Sequence, residues 1–326
     1  MLLGFFFTCE YFEKKKLINL FLAGLFIGFS IFIKQAVILL AIALFIFIFL
    51  KNRKIYSALV FSIGTGIPLM LLLYWIFYHG IFDEFIYWTI IFNFEIYAKM
   101  ADKLPTLNQW LRILVYIIPF VYLLSVLALK NIKIFILGLF CLSLLPMAFA
   151  RFEFIHLQPA ITFIILGIAL VFSTKMGRMK NYLLTAFITF NLIWVPIFYK
   201  NHYGKFVFFF DQTTLAVADR IKSLTNLNDS IYVLGSQPIL YPLSNRLPAG
   251  RVFTANLPWN MLVAEPLILK GLMADKPALV VRDSTATIDD TEVADFTANL
   301  NQFVNEYYYK IDEIGTNEIL VPKNSK

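Results

Sequence analysis

Arg151-Phe152-Glu153-Phe154-Ile155-His156-Leu157-Gln158-Pro159 is a short polar interval between two apolar runs, Ile134 to Ala150 and Ala160 to Phe172. A charged side chain at the centre of a membrane helix costs roughly 2.5–3.5 kcal/mol on insertion scales. A link this short therefore belongs at a membrane surface or in a polar cavity, and it is the first place to look for chemistry.

The rest of the chain agrees with a membrane setting. Of 326 residues 60% are hydrophobic and 17% aromatic, against about 45–50% apolar in a soluble domain. Residues 1–199 carry nearly all the long apolar runs, whereas 200–326 read as an ordinary soluble sequence, so two domains are expected. The net charge of +7 is uneven: residues 1–199 hold 16 Lys and Arg against 7 Asp and Glu, and 200–326 hold 12 against 14. A slightly acidic soluble part argues against a nucleic-acid partner. The two cysteines, Cys9 and Cys141, lie inside apolar runs, so no disulfide or metal framework is encoded.

A hydrocarbon core of about 30 Å takes about 20 apolar residues as a helix. Met1 to Phe12 falls short, and its basic residues, Lys14 to Lys16, follow the apolar stretch rather than precede it as in a signal peptide. It reads as the end of a span, with the chain expected to begin inside a larger protein. Leu17 to Leu50 is interrupted at Lys34-Gln35; one helix of that length would measure about 50 Å, so two spans meeting there fit better. Further spans are expected at Ile55–Tyr78, Trp110–Leu129, Ile134–Ala150, Ala160–Phe172 and Tyr182–Tyr199. Phe85–Ile96, aromatic and only partly apolar, suits a helix lying in the interface.

Lysine and arginine concentrate in short cytoplasmic loops. Alternate connections hold Lys14, Lys15 and Lys16; Lys51, Arg53 and Lys54; Lys130 and Lys133; and Lys175, Arg178 and Lys180. The opposite loops hold Lys34, Lys99, Lys103, Arg112 and Arg151, offset by five acids. The fold class is thus an α-helical polytopic membrane domain of seven full spans plus one partial, residues 1–199, integral to the cytoplasmic membrane. Residues 200–326 follow as a small extracytoplasmic α/β domain. In that domain Phe210–Leu224, Met261–Ala274 and Glu292–Tyr307 have helical spacing, while Ser230–Leu234, Ala278–Val281, the surroundings of Ile311 and Ile319–Val321 read as strands.

Several polar residues collect on the side opposite the lysine-rich bends. Lys34 is a point charge for phosphate, with Gln35 beside it; the plain alternative is a lysine snorkelling at a helix end. Arg151 offers a planar fork that matches phosphate oxygens, or an ion pair with Glu153. His156 is able to donate to a phosphate or sugar oxygen, or to stand as a simple interfacial histidine. Asp83, Glu84 and Glu95 are candidate acids, bases or acceptor-loop residues; the plainer reading of each is a solvated loop charge or a partner of Lys99 or Lys103.

These residues carry a resemblance. Phe-Ile-Lys-Gln (32–35) at an outer helix turn, Asp-Glu-Phe-Ile-Tyr-Trp (83–88), Arg-Phe-x-x-x-His-x-x-Pro (151–159), Ile-Tyr-Val-Leu-Gly (231–235) and Leu-Tyr-Pro-Leu-Ser-Asn-Arg (240–246) together resemble the C-terminal portion of bacterial GT-C membrane glycosyltransferases. That group includes the protein mannosyltransferases and aminoarabinose transferase. The resemblance implies a transferase that moves a sugar from a polyprenyl-phosphate donor to a lipid, glycan or protein acceptor at the outer membrane face, with no cofactor and no metal. Lys34, Gln35, Arg151 and His156 would then bind the donor. The family's catalytic aspartate lies in its first outer loop, which the resemblance does not find here, so no catalytic residue is assigned and an N-terminally truncated chain is expected. A separately encoded N-terminal half is an expected partner. Two other readings are a non-enzymatic membrane sensor or assembly protein and a lipid-head-group transporter; the transporter would need polar residues along the spans, where little beyond Ser, Thr and Asn191 occurs.

Overall fold

Long apolar runs free of acidic residues fold as helices because a helix satisfies its own backbone polar groups wherever water is absent. In the computed structural model, which describes residues 1–96, 104–148, 154–173, 178–200, 210–250, 252–255, 257–288 and 291–323, the chain falls into two units, Met1–Asn201 and His202–Lys326.

The first unit is helical throughout its described residues. It comprises α1 (Leu2–Lys14), α2 (Leu17–Ile33), a 3-10 turn at Gln35–Val37, α3 (Ile38–Asn52) and α4 (Ile55–Tyr78). Two short segments follow, α5 (Phe82–Ile86) and α6 (Phe92–Glu95), then α7 (Leu107–Leu127), α8 (Ile132–Leu144), α9 (Phe154–Ser173) and α10 (Arg178–Tyr199). Among the described residues, three helices are long and apolar enough to cross a membrane: Gln35–Asn52, Ile55–Tyr78 and Leu107–Leu127. Leu17–Ile33, Ile132–Met147 and His156–Val171 are apolar but shorter.

Lys34 breaks the Leu17–Leu50 run by leaving helical geometry (φ −143°, ψ 104°), which folds α3 back beside α2. Arg53 ends α3 in the left-handed region (φ 52°), so α4 runs parallel to α2. The pair packs through glycines: a Cβ on Gly24 would lie 2.1 Å from the Phe61 carbonyl oxygen, and one on Gly64 would lie 2.2 Å from that of Phe21. Small residues that let backbones touch are how membrane helices gain contact where no hydrophobic force separates protein from lipid. Glu13 pairs with Lys133 at 2.6 Å, placing the lysine-rich end of α1 beside the start of α8. At the other end of α1, the Met1 amino group donates to Ser30 Oγ of α2 at 2.9 Å. Cys9 and Cys141 are both buried and unbridged.

Two expected helices are divided. Phe85–Ile96 becomes α5, a π-helical turn at Tyr87–Ile91, and α6. The Asn93 amide donates to the carbonyls of Trp88 (3.2 Å) and Thr89 (2.8 Å) across this irregular stretch. In the second unit Glu292–Tyr307 breaks at Thr297, which is fully buried, has φ −124° and ψ 32°, and donates from its hydroxyl to the Val293 carbonyl.

That second unit is a three-layer α/β fold. Its elements are α11 (Gln212–Leu224), β1 (Ser230–Leu234), α12 (Leu240–Ser244), β2 (Leu247–Pro248), α13 (Pro258–Asp275) and β3 (Leu279–Arg282). They continue with β4 (Thr287–Ile288), β5 (Thr291–Glu292), α14 (Val293–Phe296), α15 (Ala298–Tyr307), β6 (Tyr308–Ile314) and β7 (Asn317–Pro322). The main sheet has the order β2-β1-β3-β7-β6; β1 is parallel to β2 and β3, and β7 is antiparallel to β3 and β6. Alternation along the strands splits the core into two layers. Ile231, Val233, Leu279 and Val281 face α11 and α12, whereas Tyr232, Leu234, Val280 and Leu320 face α13 and α15. Tyr308 is held from the second layer, its hydroxyl donating to the Pro277 carbonyl at 3.0 Å, and burial pushes that phenol up to about 12.

Candidate functional site in the helical unit

The start of α7 is fixed by a capping box: Thr106 Oγ1 accepts from the Gln109 N–H, and Gln109 Oε1 accepts from the Thr106 N–H at 2.7 Å. From that start, Arg112, Ile113, Tyr116 and Ile117 share one helical face. That face looks onto a cavity of about 390 Å³ closed by α9 and α10, lined by apolar side chains that include Leu157, Ile161, Ile164 and Phe190.

Arg112 and Trp194 close the end of this cavity nearest the N-terminus of α7. The guanidinium carbon sits 3.9 Å from the Trp194 ring centroid, a cation–π contact of up to about 2 kcal/mol where water is excluded. Its Nε is buried and has no hydrogen-bond partner among the described residues. Leaving a buried charged donor unsatisfied costs at least about 1–3 kcal/mol, which an incoming anion would recover. The other polar groups nearby are already engaged: Tyr116 Oη donates to Asn191 Oδ1 at 3.0 Å, and the Asn191 amide donates to the Phe187 carbonyl at 2.8 Å. An arginine at the end of an apolar slot suits a molecule with an anionic head and a hydrocarbon tail.

Lys34 lies half-buried between α2 and the 3-10 turn, and Gln35 is exposed at its start. That turn packs against α8. His156 sits half-buried in the first turn of α9, one residue before cavity-lining Leu157. The alternating helices bring these residues and Arg112 to one end of the unit, opposite the Glu13–Lys133 pair. Asp83 and Glu84 in α5 and Glu95 in α6 are exposed, and their carboxylates form no hydrogen bond or ion pair among the described residues. Arg151 lies outside the described residues, as do Glu153, Lys99 and Lys103.

Within the aromatic Phe85–Ile96 stretch, the Tyr87 and Trp88 rings meet edge-on at 5.2 Å and Trp88 packs on Phe92 at 5.1 Å, between centroids. In the sequence Arg112 stands only as one of the outer-loop charges. Its partner Trp194 is far away in the chain, and no local spacing signals such a pair. Comparison with protein-family models, with curated proteins and with solved structures gave no match to this chain.

Proposed function

We propose that the chain is the membrane portion of a glycosyltransferase that takes a sugar from a polyprenyl-phosphate donor and passes it to a lipid, glycan or protein acceptor at the outer face of the cytoplasmic membrane. In this reading the helical unit crosses the bilayer seven times with one further partial span. The lysine-rich bends lie in the cytosol and residues 200–326 lie outside. The single observation that carries it is the apolar cavity ended by Arg112, whose buried Nε lacks an acceptor among the described residues.

The isoprenoid chain occupies the slot between α7, α9 and α10, and the phosphate meets the Arg112 guanidinium. Lys34, Gln35 and His156 contribute further donors at the same end, and Arg151, three residues before α9 in the sequence, is the remaining donor-binding residue of this reading. When the glycosidic bond breaks, the phosphate gains a second negative charge beyond the one the diester already carries, and fixed cations in a water-poor site stabilise that added charge. Such a reaction calls for no nucleotide and no redox group. The acid–base step is left to a separately encoded or adjoining segment, since the exposed Asp83, Glu84 and Glu95 carboxylates form no hydrogen bond or ion pair among the described residues.

Native mass spectrometry of the chain in nanodiscs with added farnesyl phosphate tests the binding claim. The wild type retains the lipid; Arg112→Gln weakens it by about tenfold or more, the worth of one charge-assisted hydrogen bond. Farnesol, which keeps the tail and lacks the phosphate, binds both proteins alike. Equal retention of farnesyl phosphate by wild type and Arg112→Gln removes the phosphate site, and with it the main support for a lipid-linked donor.

A further inference from the structure

The sheet unit holds a second cavity with the opposite character. Strand β1 is the turning point of the sheet: the connection to β2 runs through α12 on one face, and the return to β3 runs through α13 on the other. Where crossovers leave a parallel sheet in opposite directions, a crevice opens outside the carboxyl ends of the two strands, and ligands of α/β proteins bind there. Here that crevice has a volume of about 620 Å³, within the usual range for small-molecule sites.

Its walls are built for close approach. Gly235, directly after β1, has φ +74°, and a Cβ there would lie 2.3 Å from the Asp283 carbonyl oxygen after β3. Asp283 organises the opposite wall, accepting from Thr285 N–H (3.0 Å) and hydroxyl (2.9 Å) with one oxygen and from the Thr316 hydroxyl (2.5 Å) with the other. Ser236 donates to the Asn317 side-chain oxygen across the floor. Asp211 caps α11 through the Thr214 N–H at 2.7 Å, and that bond holds its carboxyl below the usual range. Hydroxyls, amides and two carboxylates thus line the crevice, and among the described residues no Lys, Arg or His does. The carboxylates of Asp211 and Asp283, with no cation beside them among the described residues, disfavour a phosphate or nucleotide.

We propose that this crevice binds an uncharged sugar residue, whose hydroxyls match the mixed donors and acceptors of Ser236, Gln237, Thr287 and Asn317. The inference goes beyond the donor reading, because it rests on the sheet unit alone and is tested without turnover. The full chain in nanodiscs is titrated by saturation-transfer NMR with glucose, galactose, mannose, arabinose and N-acetylglucosamine, with inorganic phosphate and spermidine as charged probes. At least one neutral sugar receives saturation at about 10 mM or below, and Ser236→Leu and Asn317→Leu weaken it by about tenfold or more. Gln302→Ala, on exposed α15 surface, leaves it unchanged. Should either leucine variant lose the circular-dichroism signature of the sheet unit, Thr287→Trp blocks the rim from a two-residue strand outside the main sheet and must weaken binding likewise. No transfer to any neutral sugar, transfer that survives Thr287→Trp, or binding of phosphate or spermidine in place of sugar overturns the proposal.

Discussion

Gly24→Leu and Gly64→Leu are each expected to abolish a monodisperse folded protein, as seen by size-exclusion chromatography and thermal unfolding in mild detergent. At both positions an added Cβ meets a backbone carbonyl oxygen on the facing helix, at 2.1 Å from Phe61 and 2.2 Å from Phe21. Backbone has no rotamer by which to move aside, so the helices must separate. Overpacking a core costs typically 1–3 kcal/mol, and a clash with main chain belongs at or above the top of that range. Separation also strips the contact made by Gly28, whose own Cβ would fall 2.4 Å from the Thr65 carbonyl oxygen. Gly66 of α4 has nothing within 4 Å of where its Cβ would be. Gly66→Leu therefore serves as the control, and its melting temperature stays within about 2 °C of the wild type, as for a surface substitution. A wild-type melt for Gly24→Leu would mean that α2 and α4 do not pack through their glycines.

The second large effect is expected at Arg246, in the last position of the Leu-Tyr-Pro-Leu-Ser-Asn-Arg motif. This arginine is 7% exposed, and its hydrogen bonds go to a hydroxyl and to backbone carbonyls rather than to a carboxylate. Its Nε donates to Thr225 Oγ1 (2.8 Å), one terminal nitrogen donates to the carbonyls of Ser244 (2.9 Å) and Asn245 (3.1 Å), and the other donates to the Thr225 carbonyl (2.7 Å). One side chain thereby closes the C-terminus of α11 and the left-handed end of α12, where Asn245 takes φ 53°. Arg246→Met keeps much of the volume and removes four hydrogen bonds, leaving buried carbonyls without donors. The expected loss is about 3 kcal/mol or more in urea unfolding of the sheet unit. Arg246→Lys recovers only part of it, since a single ammonium cannot span the Thr225 and Ser244 sides together. If both variants unfold like the wild type, the motif has some role other than joining α11 to α12.

How far the sequence discloses this molecule depends on whether a feature is local. The bend at Lys34-Gln35 is legible because the run around it overshoots one bilayer, and a cation beside an amide marks the point where that run must surface. Strands β1, β3 and β7 announce themselves as β-branched runs bounded by turn residues; the Asn226–Asp229 turn before β1 closes through the Asp229 carboxylate at 2.7 Å. The two-residue β2 carries no such signal, yet it makes β1 the turning point of the sheet and so creates the crevice at Gly235. Arg112 is equally hidden. In sequence it is one more basic residue on the outer side, and only the meeting of α7 with α10 turns it into a guanidinium stacked on Trp194. The motif ending at Arg246 is visible as a string, but its meaning lies in Thr225, which belongs to a different element.

The claim on which the functional reading turns is that the Lys34, Arg112 and His156 end of the helical unit faces away from the cytosol. Paired reporter fusions measure it directly: alkaline phosphatase and green fluorescent protein, each placed after Tyr199 and, separately, after Lys130. The account predicts active phosphatase and no fluorescence at Tyr199, with the reverse at Lys130. Fluorescence after Tyr199 with phosphatase active only after Lys130 would put the proposed phosphate site in the cytosol and contradict the account.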